Sequence, residues 1–386
     1  MALTEHGFWL CLGLIIYVYA GYPVLVCVLA AIFGREIRKA EFEPSITVVI
    51  AAFNEAREIR DTVTNKLDQN YPRDRLNVIV VSDGSTDGTD EIIRGLSEMD
   101  PGRVRLLRQE PRQGKTQALN LALRHVSTDL VVFSDANSIY APGALRALSR
   151  AFADASVGYV TGQLVYSNPT ESGISEGSGV YMSYENMLRA AETKLGSVVG
   201  VDGGLDAVRR ELYMPMRPDQ LPDFVLPLSV VERNKRVVYE PDAVVCEPGL
   251  ADSGAEFRMR VRVSLRSLWA LYDKRALLNP LRYPVFAWQL ISHKVLRYTA
   301  FVPLAGVFLF NALVVDRSAF YGAFFAAQIA AYGLAALGHL GRHSSARASR
   351  LLMPYYFVVL NIACVIAFWK FLTGQKMVLW TPRQGE

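Results

Sequence analysis

The apolar residues of this chain are concentrated at its two ends. Residues 8–33 (FWLCLGLIIYVYAGYPVLVCVLAAIF) contain no charged side chain, and the run exceeds the roughly 20 residues that a helix needs to cross a bilayer. The run is too long for a signal peptide, and no basic segment precedes it. Three further apolar stretches have the length of candidate spans: residues 298–315, 320–340 and 351–372. This pattern predicts a multi-pass membrane protein with a long polar middle region.

The charges beside the first apolar stretch predict its orientation. Only Glu5 and His6 precede it. Arg35, Arg38 and Lys39 follow it. Because cytoplasmic loops carry an excess of Lys and Arg, the N-terminus is expected outside and the middle region in the cytoplasm.

The C-terminal stretches allow two arrangements. The basic linker GRHSSARASR, residues 341–350, is expected in the cytoplasm, which agrees with an outward span followed by an inward one. The last stretch contains Pro354 and Asn361, so it is either a full span or a re-entrant or interfacial segment. A full span would place the tail with Lys376 and Arg383 outside. The side of the membrane on which the tail lies stays open.

The middle region, residues 45–247, alternates short apolar runs with helical patterns. Residues 46–53 (ITVVIAAF) and 77–82 (NVIVVS) are nearly continuous apolar runs, as expected for strands that are covered on both faces. Two more strands are predicted at residues 104–107 and 129–134. Three helices are predicted at residues 54–67, 89–99 and 114–125. The alternation predicts an α/β fold with a doubly wound, mostly parallel sheet. Ligands bind such sheets beyond the carboxyl ends of the strands.

A basic, aromatic region follows the middle region. Residues 257–298 mix nine Arg and Lys with Trp269, Trp288, Phe286 and several Leu. Basic residues with Trp and Leu at helical spacing favour amphipathic helices that lie on the anionic cytoplasmic leaflet. The alternative is an ordinary solvated amphipathic helix.

The composition gives no indication of a nucleic-acid partner, a disulfide framework or a zinc site. The formal net charge of +4 does not indicate a nucleic-acid partner. Three of the four cysteines lie in apolar stretches and Cys246 stands alone, so no disulfide framework or cysteine metal site is predicted. The five scattered histidines lack the spacing of zinc ligands.

Acidic and polar residues follow three of the predicted strands. Asn54 and Glu55 follow the first strand, and Asp83 follows the second. Asp135 and Asn137 follow the fourth. Taken singly, each loop is typical of a turn or a helix cap, where Asp, Asn and Ser accept hydrogen bonds from free amides. Three such loops at one edge of a sheet indicate a ligand site.

The phosphate-binding motifs of nucleotide folds are missing. No G-x-G-x-x-G follows a strand, and RQGKTQ at residues 112–117 lacks the upstream glycine of a phosphate loop. With carboxylates in place of a glycine cradle, phosphates would be held through a divalent cation. Asp135 and Asn137 offer the hard oxygen ligands that suit Mg²⁺ or Mn²⁺.

The chain resembles the membrane-integrated inverting nucleotide-sugar glycosyltransferases of family 2, which have the GT-A fold. Cellulose, hyaluronan and poly-N-acetylglucosamine synthases are relatives of this kind. The resemblance covers nearly the whole chain. It is carried by four segments in the order and spacing of the family: AAFNEA (51–56), VVSDGSTDGT (80–89), RQGKTQALN (112–120) and FSDANS (133–138).

The resemblance implies roles at the nucleotide end of the site. Ala52 and Glu55 would line the nucleotide pocket. Asp83 would contact the nucleobase or its ribose, and Lys115 would lie beside the nucleotide.

The resemblance also implies a metal site. Asp135 and Asn137 would occupy the Asp-x-Asp positions that bind the cation. An amide replaces the last carboxylate, so one negative charge is lost, although Asn can still coordinate through its carbonyl oxygen.

Inverting transfer needs a general base beside the acceptor hydroxyl. The family places it in an acidic pair at the start of a helix, and QLPDFVLPLSVVERNKRVVYEPDA (220–243) matches that region, with Asp223 at the base position. Pro222 stands where the family has the preceding acid. The alternatives are that Asp223 is only an N-terminal helix carboxylate, or that Asp219 is the base. In the expected reaction an α-linked donor gives a β-linked product without a covalent intermediate.

VGVDGGLDAVRREL (199–212) resembles the acceptor-side segment of the family. Asp202, Gly203 and Gly204 are the expected wall residues, because glycine lets the backbone approach a sugar closely. Arg209 and Arg210 could bind the diphosphate or lie on the surface, and both roles stay open. Glu185 and Glu192 could have a structural role or lie on the acceptor side.

Processive relatives carry Gln-x-x-Arg-Trp on an interfacial helix. RVRVSLRSLW (260–269) lies at the corresponding place, where Arg262, Arg266 and Trp269 share its chemistry, but no Gln precedes them and Arg and Trp are not adjacent. This segment is either a gate over the nucleotide pocket or a plain basic interfacial helix. The protein either synthesises a polymer or transfers a single sugar, and the sequence leaves both alternatives open.

The sequence therefore predicts four regions: an N-terminal transmembrane helix (1–40), a cytoplasmic GT-A domain (41–255), interfacial helices (256–297), and C-terminal transmembrane helices with a tail (298–386). The expected protein is an inner-membrane glycosyltransferase that uses Mg²⁺ or Mn²⁺ and a UDP- or GDP-sugar. It would act on a polysaccharide or lipid-linked acceptor in extracellular polysaccharide assembly. Expected partners are membrane lipids and a second copy or a synthase complex. The alternative from another class is a catalytically silent nucleotide-binding scaffold.

Overall fold

A computed structural model describes residues 2–166, 173–248, 253–340 and 349–378. The chain divides into two compact units. The helical unit comprises Met1–Ala31, Asn168–Leu188 and Leu250–Lys376, and the sheet unit comprises Ile32–Ser167, Arg189–Gly249 and Met377–Glu386. Residues 341–348 of the predicted cytoplasmic linker and the tail residue Arg383 lie outside the described residues.

The sheet unit is built on a mixed sheet whose strands, in the described part of the chain, have the order β3-β2-β1-β4-β7-β6-β8-β5. Four neighbouring pairs run parallel and three run antiparallel. The strands are β1 (Ile46–Ala52), β2 (Leu76–Ser82), β3 (Val104–Arg108), β4 (Leu130–Asp135), β5 (Ile139–Tyr140), β6 (Val157–Tyr166), β7 (Leu205–Arg209) and β8 (Arg236–Glu247).

The helices that the structure describes are α1 (Ala2–Ile16), α2 (Tyr22–Phe33), α3 (Ile59–Leu67), α4 (Thr89–Met99), α5 (Lys115–Leu123), α6 (Ala144–Arg150), α7 (Gly173–Leu195), α8 (Pro222–Glu232), α9 (Ser253–Asp273), α10 (Pro284–Leu290), α11 (Leu296–Tyr298), α12 (Phe301–Ala312), α13 (Ala319–Leu340) and α14 (Ser349–Leu372). A π-helical turn, Tyr17–Gly21, joins α1 to α2, and another, Ile291–Val295, joins α10 to α11.

The register of the parallel strands places their carboxyl ends at one edge. β1 is buried along its whole length between β2 and β4. Ala52 lies opposite Ser82 of β2, and Ala51 lies opposite Asp135 of β4. The loops after all three strands therefore leave the sheet at the same edge.

The antiparallel strand β7 brings a further segment to this edge. β4 and β7 pair with Ser134 opposite Leu205, so β7 begins where β4 ends. Gly203 and Gly204, which directly precede β7, therefore reach the edge at which Asp135 lies.

The four predicted strands are present, with ends that differ by one residue. The predicted helix 89–99 is present over the same residues, and the helix predicted at 114–125 spans Lys115–Leu123. The helix predicted at 54–67 is wrong in its first turn, because it begins only at Ile59. Asn54 has a positive φ of 56°, a left-handed conformation that cannot belong to an α-helix.

The helical unit contains three helices that are long and apolar enough to cross a membrane. They are Leu3–Phe33, which runs through the π-helical turn, Ala319–Gly338 and Pro354–Leu372. These agree with the predicted stretches at 8–33, 320–340 and 351–372.

The fourth predicted stretch, 298–315, does not form one straight helix. The helices Pro284–Tyr298 and Phe301–Ala312 meet at a bend of 60°. α12 has 12 residues and rises about 18 Å, which is less than the roughly 30 Å thickness of a bilayer core. The pair can cross a membrane only as a broken span, or enter it as a re-entrant loop.

Candidate active site

Lys115 joins two acidic residues at the edge described above. Its Nζ donates a hydrogen bond to Asp135 Oδ1 at 2.7 Å and lies 3.7 Å from Asp223 Oδ2. Burial opposes the charge on Lys115, but the carboxylates of Asp135, Asp223 and Glu247 outweigh it, and the pKa of Lys115 is raised. The Asp135 side chain is 39% exposed and that of Asp223 25% exposed, so both carboxylates are open to a ligand.

Asp83 is fully buried and is bonded to the segment that leads into α5. Its carboxylate accepts hydrogen bonds from the backbone N–H groups of Gln113 at 2.8 Å and Gly114 at 3.0 Å, and from the Gln109 side chain at 2.5 Å. Its own N–H donates to the carbonyl of Ala52 at 2.8 Å. Asp83 therefore fixes the start of α5, where Lys115 lies. Its predicted contact with a nucleobase or ribose stays a prediction.

The loop after β2 also holds the loop after β1. The backbone N–H of Thr86 donates to the Asn54 side chain at 2.9 Å, and the N–H of Ala56 donates to Asp87 at 3.0 Å. The N–H of Glu55 donates to the Thr89 hydroxyl at 2.9 Å.

These bonds between distant segments explain why the first turn of the predicted helix at 54–67 is replaced by a loop. The backbone N–H groups of residues 54–56 donate to side chains at 85–89, which hold this segment in its loop conformation.

Glu55 is half-buried in an acidic environment. Burial raises its pKa to about 8, and repulsion from Glu58, Asp135 and Asp87 acts in the same direction. A cation beside Asp135 would relieve this repulsion. Ala52, the other predicted pocket residue, is fully buried at the end of β1.

Phe53 and Arg112 form a stacked pair that the sequence did not indicate. The guanidinium of Arg112 lies over the Phe53 ring, 3.5 Å from its centroid, and the Arg112 Nε lies 3.5 Å from Asp83 Oδ2. The pair thus joins the loop after β1 to the segment between β3 and α5.

Asp223 lies in the first turn of α8 against a glycine that no other residue could replace without movement. Gly203 has φ +91°, and a Cβ there would lie 2.7 Å from the Asp223 carboxyl carbon. Gly204 is also closely packed, since a Cβ there would lie 2.5 Å from Glu247 Oε1. The structure thus brings together Asp135, Lys115, Asp223 and the two predicted glycines.

Asp202 is paired within the protein. Its carboxylate accepts two hydrogen bonds from the Arg189 guanidinium, and both side chains are largely buried. The Arg189 Nε also donates to the Gly200 carbonyl at 3.3 Å. Asp202 thus anchors the segment before Gly203, and its predicted contact with an acceptor stays a prediction.

The two arginines whose role the sequence left open, Arg209 and Arg210, make structural contacts. Arg209 donates to the carbonyls of Val157 and Phe152, and Arg210 donates to the carbonyl of Thr128. Because Arg209 lies opposite Leu130 in β7–β4 pairing, both arginines are at the start of β4, away from Asp135.

The two glutamates on α7 are also engaged. The buried carboxylate of Glu192 accepts from the N–H of Val199 at 3.1 Å. Glu185, in the helical unit, pairs with Arg297 and lies 3.3 Å from His293 Nε2.

Polar residues of the GKTQALN segment hold the chain that leads to Asp223. The Thr116 hydroxyl donates to the Gln220 carbonyl at 2.9 Å. The side-chain amides of Gln117 and Asn120 both donate to the Met216 carbonyl. Sequence reasoning missed these three residues, although their place beside Lys115 in a polar run on a helix was a signal.

The three possible gate residues all lie on α9 of the helical unit. Arg266 is buried, and Arg262 is half-buried. The Trp269 indole N–H donates to the Gln375 carbonyl at 2.9 Å, and its ring packs on Phe371. Trp269 thus fixes the segment that follows α14, and a gating role stays a prediction.

A cation at this site would need ligands from its substrate. Within the described residues, no group of three or more His, Cys, Asp or Glu converges as a metal site. Asp135 and the half-buried Asn137 supply two oxygens one residue apart. Mg²⁺ and similar cations are commonly held by one or two such groups together with substrate phosphates and water. The residues therefore fit a cation that binds with a diphosphate.

Residues 47–215 match the model of the glycosyl transferase family 2 domain. The chain carries a family 2 glycosyltransferase domain. The match runs from β1 to the segment before α8 and so includes Asp83, Lys115, Asp135 and Gly203. The prediction of a family 2 domain is confirmed for these residues.

Curated relatives support the same family. The chain is 28% identical over 235 residues to an N-acetylglucosaminyltransferase of Mesorhizobium japonicum, which covers 57% of this chain and 55% of the relative. It is 26% identical over 245 residues to the poly-beta-1,6-N-acetyl-D-glucosamine synthase of Staphylococcus aureus, covering 60% and 58%. The chain thus spans little more than half the length of these relatives.

The chain also shares its fold with a solved structure. The mannosyltransferase PcManGT from Pyrobaculum calidifontis, in complex with GDP-Man and Mn²⁺, superposes with a TM-score of 0.71. The match covers 96% of this chain and 99% of that chain at 24% identity. The predicted GT-A fold with flanking apolar helices is confirmed.

Proposed function

We propose that the protein is a membrane-bound inverting glycosyltransferase that moves a sugar from a nucleotide-sugar to a polysaccharide or lipid-linked acceptor. The observation that carries the proposal is the convergence of Asp135, Lys115 and Asp223 at the edge of the sheet in a family 2 domain. Two carboxylates separated by one half-buried ammonium provide a cation ligand and a base on either side of a positive charge.

Asp223 is proposed as the general base. It lies in the first turn of α8, is 25% exposed, and is backed by Gly203, whose missing side chain leaves room for the carboxylate. A carboxylate open to solvent can accept a proton from an acceptor hydroxyl as that hydroxyl attacks the anomeric carbon. Direct attack breaks the bond to the diphosphate in the same step and inverts the anomeric configuration.

Lys115 and the loop before it are proposed to hold the diphosphate. Lys115 is the first residue of α5, and the free N–H groups of a helix N-terminus favour negative charge. Asp83 fixes this helix start through the N–H groups of Gln113 and Gly114. The Lys115 ammonium, at the start of α5, thus lies against Asp135.

Asp135 and Asn137 are proposed to bind Mn²⁺ or Mg²⁺. When bound, the cation would neutralise charge that develops on the leaving diphosphate. The mannosyltransferase of the same fold was solved with Mn²⁺, which supports this proposal.

N-acetylglucosamine is the proposed sugar. Both curated relatives are named for N-acetylglucosamine transfer, and UDP is the proposed nucleotide. The three apolar helices support a multi-pass protein of the cell membrane with the sheet unit in the cytoplasm, where nucleotide-sugars are made. Transfer into an extracellular polysaccharide is the proposed role.

A donor panel tests the proposal. The full chain is purified in detergent and supplied with Mn²⁺, short N-acetylglucosamine oligomers or membrane lipids, and UDP- or GDP-sugars, one at a time. Release of UDP or GDP and the product are measured. We expect UDP-N-acetylglucosamine to be the donor consumed fastest, and we expect the Asp135→Ala variant to consume none.

Two results would contradict the proposal. If the wild type is as inert as Asp135→Ala with every donor but still binds a nucleotide-sugar, the chain is a nucleotide-binding scaffold. If GDP-mannose is consumed in preference to UDP-N-acetylglucosamine, the proposed sugar is wrong and the reaction class stands.

A further inference from the structure

One face of α3 presents polar side chains to the loop that follows β4. Thr62, Asn65 and Lys66 lie on α3, and Asn65 and Lys66 follow Thr62 by three and four residues, so the three side chains share one side of the helix. All but Asn65 are buried. An amphipathic helix normally packs apolar side chains against its sheet, so this buried polar face needs another explanation.

Two of these side chains bond to the backbone of the segment that follows β4, one in the loop and one in β5. The Thr62 hydroxyl donates to the carbonyl of Ala136 at 2.6 Å. The Asn65 amide donates to the carbonyl of Tyr140 at 3.0 Å, while its oxygen accepts from the N–H of Tyr140 at 2.8 Å. Asn65 thus pairs with Tyr140 as a neighbouring strand would.

Lys66 binds the loop between these two points. Its side chain is fully buried, and its Nζ donates to the carbonyl of Ser138. The same Nζ donates to the Asn65 oxygen at 3.2 Å and lies 3.7 Å from the centroid of the Tyr140 ring. The ammonium is therefore enclosed by two oxygens and an aromatic face.

A buried lysine lowers the stability of a fold. Burial lowers the pKa of Lys66 to about 7, although the charge of Glu247 acts in the opposite direction. An apolar side chain of similar length would remove that cost, but it would leave the buried Ser138 carbonyl without its donor. The position of its Nζ on the loop is therefore the property that distinguishes Lys66 from an apolar residue.

Ser138 is held from a second direction. Its hydroxyl donates to Glu247 Oε1 at 2.5 Å, and this is the oxygen against which Gly204 packs. Lys66 fixes the carbonyl and Glu247 fixes the hydroxyl. The residue directly after Asn137 thus has little freedom to move.

We propose that Lys66 is a positioning residue for sugar transfer, which fixes the Ser138 carbonyl and so holds Asp135 and Asn137 in the geometry that binds a cation. The inference rests on the proposed function, because it concerns the same cation site. Lys66 acts through the backbone and touches neither the cation nor the donor. Partners that orient metal ligands in this way are worth about 10- to 100-fold in metal affinity or activity.

The test compares two variants of the same helix. Lys66→Met keeps the length and apolar stem of the side chain and removes the ammonium. Arg60→Met removes a positive charge from the exposed face of α3 and serves as the matched control. Methionine fills the buried site but leaves the Ser138 carbonyl without a donor, so we expect the Lys66→Met variant to fold and to melt at or slightly below the wild-type temperature.

Three readouts follow in the full chain in detergent. Binding of Mn²⁺ is measured by electron paramagnetic resonance with UDP and, separately, with GDP. We expect the Kd for Mn²⁺ to rise about tenfold in Lys66→Met and to stay unchanged in Arg60→Met. Amide hydrogen exchange without metal should be faster across residues 136–140 in Lys66→Met alone. The half-saturating Mn²⁺ concentration for transfer should rise about tenfold, with a rate at saturating Mn²⁺ within about threefold of wild type.

The outcomes separate this inference from the function on which it rests. If the Lys66→Met variant has wild-type exchange rates across residues 136–140 and wild-type affinity for Mn²⁺, the proposed role of Lys66 is wrong and the proposed function stands. A lower melting temperature with an unchanged Kd for Mn²⁺ shows a merely structural lysine and also overturns it. If the wild type fails to bind Mn²⁺ both in the presence of UDP and in the presence of GDP, the proposed cation site itself is wrong.

Discussion

Many polar side chains around the strand-end site bond to the backbone of the chain itself. Asp83 holds the start of α5, Thr116 holds the Gln220 carbonyl, and Lys66 holds the Ser138 carbonyl. Each places a loop that carries a candidate functional residue. Such support matters because a displacement of about 1 Å in a reacting group can cost about 100-fold in rate.

Gly203 offers a residue-scale prediction about the base. In a Gly203→Ala variant the new Cβ would lie 2.7 Å from the Asp223 carboxyl carbon, so Asp223 must move. The left-handed backbone adds about 1–2 kcal/mol of destabilisation. We expect a loss of about 100-fold or more in transfer rate, measured as UDP release beside a thermal melt.

Gly143→Ala is the matched control for this prediction. Gly143 has a similar φ of +82°, but a Cβ there meets no atom within 4 Å. It should lose about the same 1–2 kcal/mol of stability and keep its rate. Equal losses of rate in the two variants would show that backbone strain, and not the displacement of Asp223, explains the effect.

At the scale of elements, the parallel half of the sheet could be predicted from the sequence. β1, β2 and β4 are buried strands with nearly continuous apolar runs, a pattern that depends only on local composition. Because their carboxyl ends meet at one edge, the convergence of Asp83 and Asp135 also followed from the pattern. The direct contact of Lys115 with Asp135 and Asp223 needed the structure.

Strands β7 and β8 could not be predicted from the sequence because each contains polar residues that are unusual in a buried strand. β7 (LDAVR) contains Asp206, which is fully buried and whose pKa is raised by burial to about 8. β8 contains Pro241 and Asp242 in its middle, residues that are rare in strands. Their place in the sheet is decided by pairing with distant strands, which local composition does not encode.

The polar face of α3 shows why the support of the site could not be predicted. Lys66 is expected on a solvated face by its residue type, since lysine is almost never fully buried unless paired. Its partner, the Ser138 carbonyl, is a backbone group 72 residues away. No side-chain pattern in the sequence marks such a partner.

At the scale of the whole molecule, the helical unit exposes large apolar side chains. Leu10 and Trp369 are each 66% exposed, and Leu337 is 58% exposed. They lie on the three helices that are long enough to cross a membrane. Exposed apolar surface of this kind indicates contact with lipid.

Cysteine labelling tests the predicted orientation. In a background without the four native cysteines, Asp316→Cys places a thiol between α12 and α13, and Glu98→Cys places one at the end of α4. In intact cells, a membrane-impermeant maleimide should label Asp316→Cys and should reach Glu98→Cys only after permeabilisation.

The bend before α12 makes this result informative. If the bent pair Pro284–Tyr298 and Phe301–Ala312 is a broken span, Asp316 lies outside. Labelling of Asp316→Cys only after permeabilisation would show that the pair is a re-entrant loop, and the predicted path of the chain would be wrong.

The most direct test of the account separates donor binding from transfer in an Asp223→Asn variant. The amide keeps the size of the side chain and cannot accept the proton, so transfer should fall about 10²- to 10⁴-fold. Titration calorimetry of UDP-N-acetylglucosamine with Mn²⁺ should give a Kd close to that of wild type. Asp219→Asn, in the segment just before α8, should keep both properties. Unchanged transfer by Asp223→Asn, or a loss of transfer in Asp219→Asn instead, would contradict the assignment of Asp223 as the base.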